Sequence, residues 1–421
     1  MGLFMQNKQR TEDTKVIGLS FIGGMLELYD FAIYGIFVVY FAPQFFPADS
    51  HYGAVIQSYT LFLVGYLLRP VGGIIFSHLG DEYGRKKVLV ATILLMGLST
   101  LGIAALPTYA QIGVAAPVLL VLFRVIQGLA LGGELPTAFV FLSESMKKTR
   151  ILAFGVMMSG VYSGFLFAAL IHRYLTEHLT QVALNEYGWR IPFAIGSIIC
   201  LISYLVRQSL HETTAFRSVR EHPRLPLATI FSQYRRELII AIFLAVTQQI
   251  CTNISMIYMP NYLKSVLNQD RLFVSEIMPI CIAMGVVATF SFGYFFRQVQ
   301  NIRNFLFFAL FINSLVIPVG FFLVVSEIDL PFGYILIMIF QGLFAVIIPL
   351  YITQMFPVEV RLSGVALAYN LSAATFGGAA PLLISKLIEY TGQIYLAPVC
   401  YTCFFIALSA LLLCRYIRLS N

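Results

Sequence analysis

The chain is a succession of long apolar segments separated by shorter polar ones. Each apolar segment is close to the ~20 residues that a helix needs to cross the hydrocarbon core of a bilayer, and the alternation typical of a membrane β-barrel does not recur. The pattern predicts twelve helices, over residues 16–41, 53–78, 88–106, 114–142, 151–171, 191–209, 237–262, 274–296, 303–325, 332–355, 363–386 and 395–416. The predicted fold class is therefore an all-α membrane protein with twelve transmembrane helices.

The composition agrees with this class. Of the 421 residues, 59% are hydrophobic and only 11% are charged, whereas a soluble domain averages ~25% charged residues. The first fifteen residues are polar, and the apolar run after them lacks a small-residue cleavage site. We therefore expect an uncleaved first span rather than a secretory signal.

The basic residues are placed asymmetrically. Most of the 27 Lys and Arg residues fall at the two ends of the chain and in the loops after every second predicted span. Basic loops face the cytoplasm, so both termini are predicted to be cytoplasmic, in the cytoplasmic membrane of a bacterium. The net charge of +7 is then a topology signal, and we expect the lipid bilayer, not nucleic acid, as its partner.

The two halves of the chain resemble each other. Gln127-Gly128-Leu129 in span 4 recurs as Gln341-Gly342-Leu343 in span 10. The longest polar stretch, residues 210–236, divides the spans into six plus six. We therefore predict two pseudo-symmetric six-helix bundles, residues 1–209 and 237–421, joined by a cytoplasmic linker, with a site at their interface as in secondary transporters.

The loop after span 2, "GDEYGRKK", is more than a basic turn. Gly80 and Gly84 permit tight turn conformations. Asp81 is able to accept hydrogen bonds at a helix N-terminus or to pair with a cation, and Arg85 begins a basic triplet. We assign Asp81, Gly84 and Arg85 to conformational control.

This loop resembles the signature loop of the major facilitator superfamily. Together with "LLRPVGG" (67–73), "RVIQGLALGGE" (124–134), "GWRIPF" (188–193) and "YNLSAATFGGAAP" (369–381), it resembles the metabolite:proton symporter family, which includes proline/betaine, α-ketoglutarate, shikimate and citrate permeases. The resemblance implies alternating access and proton-coupled uptake of a small molecule. It also implies a monomer that uses the proton gradient and no cofactor or metal.

Two positions depart from the family pattern. Ser77 stands where the first loop motif usually has Gly. The counterpart in the second half, "GYFFRQVQNIRN" (293–304), has Arg297 in place of the acid and Gln300 in place of a Gly. Because such loops are thought to latch the bundles together, the second latch is expected to be weak or differently built.

Five charged residues lie well inside predicted spans, all in the first half: Glu27, Asp30, Arg69, Arg124 and Glu134. A charge at a helix centre costs ~2.5–3.5 kcal/mol on insertion scales, so these residues should face a water-filled cavity or one another. Helical spacing places Gly23, Glu27, Asp30 and Tyr34 on one face of span 1.

Arg124 lies at a depth similar to that of the two acids of span 1. One interpretation is a structural ion pair between spans 1 and 4. The other is that Glu27 or Asp30 carries the coupling proton while Arg124 binds a substrate carboxylate, and the sequence does not choose between the two acids. Arg69, beside Pro70, is interpreted as a partner for a freed carbonyl or for Asp81, or as a substrate ligand.

Neutral polar side chains complete the candidate site. The substrate-binding candidates are Tyr34, Gln127, Asn253, Tyr258, Gln341, Tyr369 and Asn370, with Gln248, Gln249 and Thr252 nearby. The residues interpreted as gating or conformational are, besides Asp81, Gly84 and Arg85, also Arg69, Glu134, Glu144, Glu359 and Arg361.

The sequence thus predicts a proton-coupled importer of a small carboxylate or zwitterion. An alternative is an exporter or importer of a larger carboxylate-rich metabolite or siderophore in the same fold. A non-transporting sensor would need a signalling domain, and no loop is long enough to form one. No nucleophile elbow, phosphate loop or metal cluster indicates an enzyme.

Overall fold

The computed structural model of the chain describes residues 2–46, 67–146, 148–218, 226–326 and 328–420, and the regular secondary structure in these ranges is helical throughout. The long helices are α1 (Gly2–Phe45), α2 (Arg69–Tyr83), α3 (Arg85–Ala105), α4 (Ala115–Ser145), α5 (Arg150–His178), α6 (Arg190–Gln208), α7 (Arg235–Ser265), α8 (Arg271–Phe295), α9 (Ile302–Val325), α10 (Leu330–Met355), α11 (Arg361–Thr391) and α12 (Leu396–Ser420). Eleven helices in the described ranges are long and apolar enough to cross a bilayer.

The predicted spans are confirmed as helices, with two qualifications. The second span, 53–78, is described only from residue 67 onward, and α2 covers its end. Helices α7 and α11 each contain a π-helical turn, Ile254–Tyr258 and Ala373–Gly377. Such turns interrupt the regular ladder and are frequent at functional sites, and apolar periodicity does not reveal them.

The helices of the two halves pack in the same order. Helix α1 contacts α4, α5 and α6, and α3 contacts α4 and α6. In the second half α7 contacts α10, α11 and α12, and α9 contacts α10 and α12. This repetition accords with the predicted pair of six-helix bundles. Between the halves, α5 packs on α8 and α10, and α11 packs on α2 and α4.

Glycines allow the closest helix crossings. A Cβ at Gly160 or Gly164 of α5 would overlap the backbone of α1 at Phe21 or Met25. The predicted small-residue packing motif therefore brings α1 and α5 into backbone contact. These helices consequently hold a fixed relative position.

Replacing Gly164 by valine should destabilise the first bundle. The added carbons have no space beside the Met25 carbonyl, and overpacking of this kind costs roughly 1–3 kcal/mol. We expect Gly164→Val to lower the unfolding temperature in detergent by several degrees. Gly35→Val is the matched control, because a Cβ at Gly35 would meet nothing within 4 Å. Equal shifts for the two variants would contradict this account of the α1–α5 contact.

Candidate functional site

A cavity lies between the two halves of the molecule. It is lined by α1, α2, α4 and α5 from the first half and by α7 and α11 from the second. The centre of a water molecule is able to occupy about 60 Å³ of this cavity. The polar and aromatic lining residues are Glu27, Phe31, Arg69, Tyr162, Phe165, Gln248, Gln249, Thr252, Asn253 and Tyr369.

Glu27 and Arg69 form an ion pair in the wall of this cavity. Arg69 Nη2 lies 2.5 Å from Glu27 Oε1, and their side chains are only 9% and 7% exposed. Arg69 is the first residue of α2. This helix packs closely on α4 because Gly72, which has no side chain, leaves room for the Leu129 carbonyl. Arg69 thus pairs with Glu27, and not with Asp81 as one interpretation of the sequence had it.

Asp30 belongs to a second polar network, inside the first bundle. Its Oδ1 accepts hydrogen bonds from Thr100 Oγ1 at 2.7 Å and from Gln127 Nε2 at 3.0 Å. Gln127 Oε1 in turn accepts a hydrogen bond from Arg124 at 2.8 Å. The Arg124 guanidinium lies 3.8 Å from the centroid of the Tyr34 ring. Arg124 therefore reaches Asp30 through an amide, and neither of the two is among the cavity-lining residues.

Glu134 forms a third buried site with a residue that the sequence analysis missed. Arg207 Nη1 lies 2.7 Å from Glu134 Oε1, and Thr92 Oγ1 donates a hydrogen bond to the same carboxylate. Arg207 lies two residues before the end of the predicted sixth span, 191–209, and it is only 2% exposed. The spacing of Gly196, Cys200 and Arg207 places it on the inward face of α6, and this signal was available in the sequence.

Asp81 joins the two halves at the end of the molecule predicted to be cytoplasmic. The backbone N–H groups of Leu362 and Ser363 donate to its carboxylate, at 3.3 and 2.8 Å. These groups belong to the first turn of α11, whose own N-cap residue, Val360, has no side-chain acceptor. Asp81 thus performs, from the other half, the capping that a Ser or Asp usually provides within its own helix. We call this contact the latch.

Charged groups surround the latch. Arg85 lies 3.2 Å from Asp81 and 3.5 Å from Glu144, and it donates a hydrogen bond to the Val358 carbonyl of the second half at 2.6 Å. Arg361 pairs with Glu144 at 3.0 Å. The sequence placed Glu144 and Arg361 in separate loops, and only the packing of α4 on α11 brings them together.

The glycines of the latch loop are explained by geometry. Gly84 has a φ of +109°, in the range that favours glycine. A Cβ at Gly80 would overlap the Leu362 side chain of the second half. Gly84 is therefore needed for the turn itself, and Gly80 for the close approach of this loop to α11.

The corresponding loop of the second half is built differently. Gly293 of α8 packs against Gly155 of α5, where a Cβ would lie 2.5 Å from the opposite Cα. The Arg297 guanidinium, just beyond the end of α8, stacks on the Tyr294 ring of that helix, 4.1 Å from the centroid. Asn301 of this loop caps its own helix, α9, by accepting the Asn304 N–H at 3.0 Å, whereas Asp81 caps a helix of the other half.

The neutral candidates of the second half have varied partners. Gln341 donates hydrogen bonds to Thr252 at 2.8 Å and to Tyr162 of the first half, a residue that the sequence analysis did not select. Asn370 donates to the Gly132 carbonyl of the first half at 2.8 Å. Asn253 donates to the Gly377 carbonyl in the π-turn of α11, also at 2.8 Å.

The two aromatic candidates differ in position. Tyr369 lines the cavity and meets the edge of the Phe139 ring. Tyr258 is buried against Tyr262 instead. In the described ranges, no group of three or more His, Cys, Asp or Glu side chains is arranged to hold a metal ion.

Known proteins resemble this chain over most of its length. Residues 20–381 match the family model described as Major Facilitator Superfamily. A "Putative proline/betaine transporter" of Staphylococcus haemolyticus is 32% identical over 397 residues, which are 92% of this chain and 84% of the relative. A citrate-proton symporter of Klebsiella pneumoniae is 31% identical over 384 residues, 88% of this chain and 84% of that one.

Solved structures share the fold. The proton:xylose symporter XylE, bound to a bromodeoxyglucose, superposes with a TM-score of 0.75 at 16% identity over 95% of both chains. A human organic anion transporter superposes with a TM-score of 0.68 at 13% identity, over 95% of this chain and 99% of the other. The family match and the full-length relatives show that this chain is a transporter rather than an enzyme, and that it belongs to the Major Facilitator Superfamily.

Proposed function

We propose that the protein takes up a small carboxylate or zwitterion together with a proton, by alternating access. The observation that carries the proposal is the Glu27–Arg69 ion pair in the wall of the cavity between the two halves. In a buried carboxylate–guanidinium pair, a proton competes with the guanidinium for the carboxylate, and a substrate anion competes with the carboxylate for the guanidinium.

The coupling follows from the charge balance of this pair. When Glu27 takes up a proton it becomes neutral, and the ion pair with Arg69 is lost. A buried guanidinium without an anion is costly, of the order of several kcal/mol. A substrate carboxylate entering the cavity then supplies the missing negative charge, so proton binding and substrate binding favour each other.

The rest of the cavity suits a small polar molecule. Gln248, Gln249 and Asn253 of α7 face the cavity from the second half and carry no charge. They would orient the substrate, while the first half supplies both charges. The names of the relatives, a proline/betaine transporter and a citrate-proton symporter, support a carboxylate-bearing substrate and symport with protons.

Asp30 has a structural role in this proposal. Its network with Thr100, Gln127 and Arg124 ties α1 to α3 and α4 inside the first bundle. We assign it to holding α1, and hence Glu27, in position. Asp30 nevertheless remains the second candidate for the coupling proton, because its Oδ2 has no hydrogen-bond partner among the described residues.

The latch would set the balance between the two faces of the transporter. Closure at the predicted cytoplasmic end depends on Asp81, Arg85, Glu144 and Arg361. Release of these contacts would open that end. We place the protein, as a monomer driven by the proton gradient, in the bacterial cytoplasmic membrane.

Glu27→Gln should separate substrate exchange from proton-driven accumulation. The amide imitates the protonated acid, so Arg69 is available to a substrate anion but no proton is carried. The responsive probe is whichever of proline, glycine betaine or citrate the wild type takes up into proteoliposomes. We expect its uptake driven by a pH gradient to fall at least tenfold. Counterflow without a gradient should persist. Glu186→Gln, at an exposed position, is the control.

Accumulation by Glu27→Gln at the wild-type level would rule out Glu27 as the coupling group. Asp30→Asn is measured in parallel for this reason. If that variant alone loses the response to the gradient while its unfolding temperature is unchanged, the coupling proton belongs to Asp30.

Arg69 and Arg124 should respond differently to ligand. A ligand at 100 times its Kd stabilises the native state by ~2.7 kcal/mol, which is readily seen as a rise in unfolding temperature. We expect the responsive probe to leave the unfolding temperature of Arg69→Gln unchanged. It should still raise the unfolding temperature of Arg124→Gln above that of the same variant without ligand. The reverse result would restore Arg124 as the substrate ligand.

Asp81→Asn should weaken the latch. Asparagine keeps one of the two oxygens that accept the Leu362 and Ser363 N–H groups and loses the charge that pairs with Arg85. Loss of one capping acceptor costs ~0.5–2 kcal/mol, so the open population should rise roughly twofold to thirtyfold. The readout is maleimide labelling of Ser143→Cys, because Ser143 is buried against Thr353 of the second half, 2.8 Å between their hydroxyl oxygens. Glu82→Gln, the exposed neighbour, serves as control. Unchanged labelling in Asp81→Asn would show that the cap does not hold this end closed.

A further inference from the structure

A groove runs between α3 and α6 on the outer surface of the first bundle. Apolar side chains of both helices form its walls, including Ile93, Leu98 and Leu101 from α3 and Ile198 and Leu201 from α6. Its volume is about 160 Å³. The two helices meet at its floor, where a Cβ at Gly97 would lie 2.8 Å from that of Cys200.

The groove continues into a polar recess at the end of the molecule predicted to be cytoplasmic. This recess, of about 400 Å³, is lined by Lys86, Lys87, Tyr204 and Gln208, and it shares Leu94 and Tyr204 with the groove. The two form one continuous channel that is basic at one end and apolar along the rest.

The length of the channel matches one leaflet of a bilayer. Lys87 and Leu101 are fourteen residues apart on the same helix, which is about 21 Å at 1.5 Å per residue. Half of the ~30 Å hydrocarbon core is ~15 Å, and the remainder reaches the headgroup region. A molecule with a polar head and a long apolar chain therefore fits along it.

The basic end lacks a neutralising carboxylate within ion-pair distance. In the described part of the chain, neither Lys86 nor Lys87 lies within 4.0 Å of an acidic oxygen through its ammonium group. The Lys87 ammonium lies 5.8 Å from the Tyr83 ring centroid. Glu212, the acid beside this turn, accepts the backbone N–H of Lys86 at 3.0 Å. The recess thus offers two cations and the polar groups of Tyr204 and Gln208 to an anion.

We propose that this channel binds an anionic phospholipid. Its phosphate lies between Lys86 and Lys87, and an acyl chain follows the apolar groove between α3 and α6. Basic pockets between transmembrane helices are suited to such headgroups. Because Lys86 directly follows Arg85, the bound lipid is adjacent to the latch. This site is separate from the cavity that contains Glu27.

The test measures lipid binding by native mass spectrometry of the full chain in detergent, with dioleoyl phosphatidylglycerol as probe. Lys86→Gln/Lys87→Gln should raise its Kd roughly thirtyfold, at the usual contribution of a surface lysine to binding of anionic lipid. Arg235→Gln/Arg236→Gln removes two adjacent exposed cations from the start of α7 and should change the Kd less than twofold. Dioleoyl phosphatidylcholine should bind the wild type at least tenfold more weakly.

A second arm tests the apolar part. Leu94→Trp fills the point where groove and recess meet and should also weaken binding, whereas Leu122→Trp, exposed on α4, should not. Equal Kd values for the two lipids, or equal losses for the two double variants, would overturn the proposal. So would displacement of the lipid by equimolar glycerol phosphate, since that would indicate a site for soluble anions.

Discussion

The cost of a charge inside an apolar bundle is the constraint on which this structure depends. An unpaired carboxylate or guanidinium at membrane depth is expensive, and the first bundle contains several of each. Each buried acid is therefore held by partners on other helices. Glu27 pairs with Arg69, Glu134 pairs with Arg207, and Asp30 is held by Thr100 and Gln127. These contacts bring α1, α2, α3, α4 and α6 into register with one another.

The same constraint makes one pair suitable for transport. Among the ion pairs of the described residues, only Glu27–Arg69 lines the cavity. There a proton is able to replace Arg69 as the partner of Glu27, and a substrate anion is able to replace Glu27 as the partner of Arg69. The pair of Glu134 and the network of Asp30 have no such access in the described ranges. The second half supplies neutral polar groups to the cavity. This division would let the first half respond to charge while the second half recognises the rest of the substrate.

At the latch, too, buried polar groups receive their partner from another helix. The first turn of α11 has N–H groups without acceptors in its own helix, and Asp81 of the other half accepts them. The partial positive charge of the helix end favours this carboxylate. The second-half loop lacks the acid and packs through glycine instead. The two loops of the pseudo-repeat therefore contribute unequally to holding the halves together.

The sequence by itself determined the number and type of elements, because a run of ~20 apolar residues in a bilayer has no other way to satisfy its backbone than a helix. It also determined that the acids of α1 share one face. The tertiary structure decided which neighbour each acid meets. Gly23, Glu27 and Asp30 span about 10 Å of helix, and over that length the face passes Arg207, then the cavity, then Thr100. Periodicity gives only the direction of a side chain, whereas the partner depends on how distant helices cross. For that reason Arg69, and not Arg124, lines the cavity, and Arg207, near the end of the predicted sixth span, is buried against Glu134.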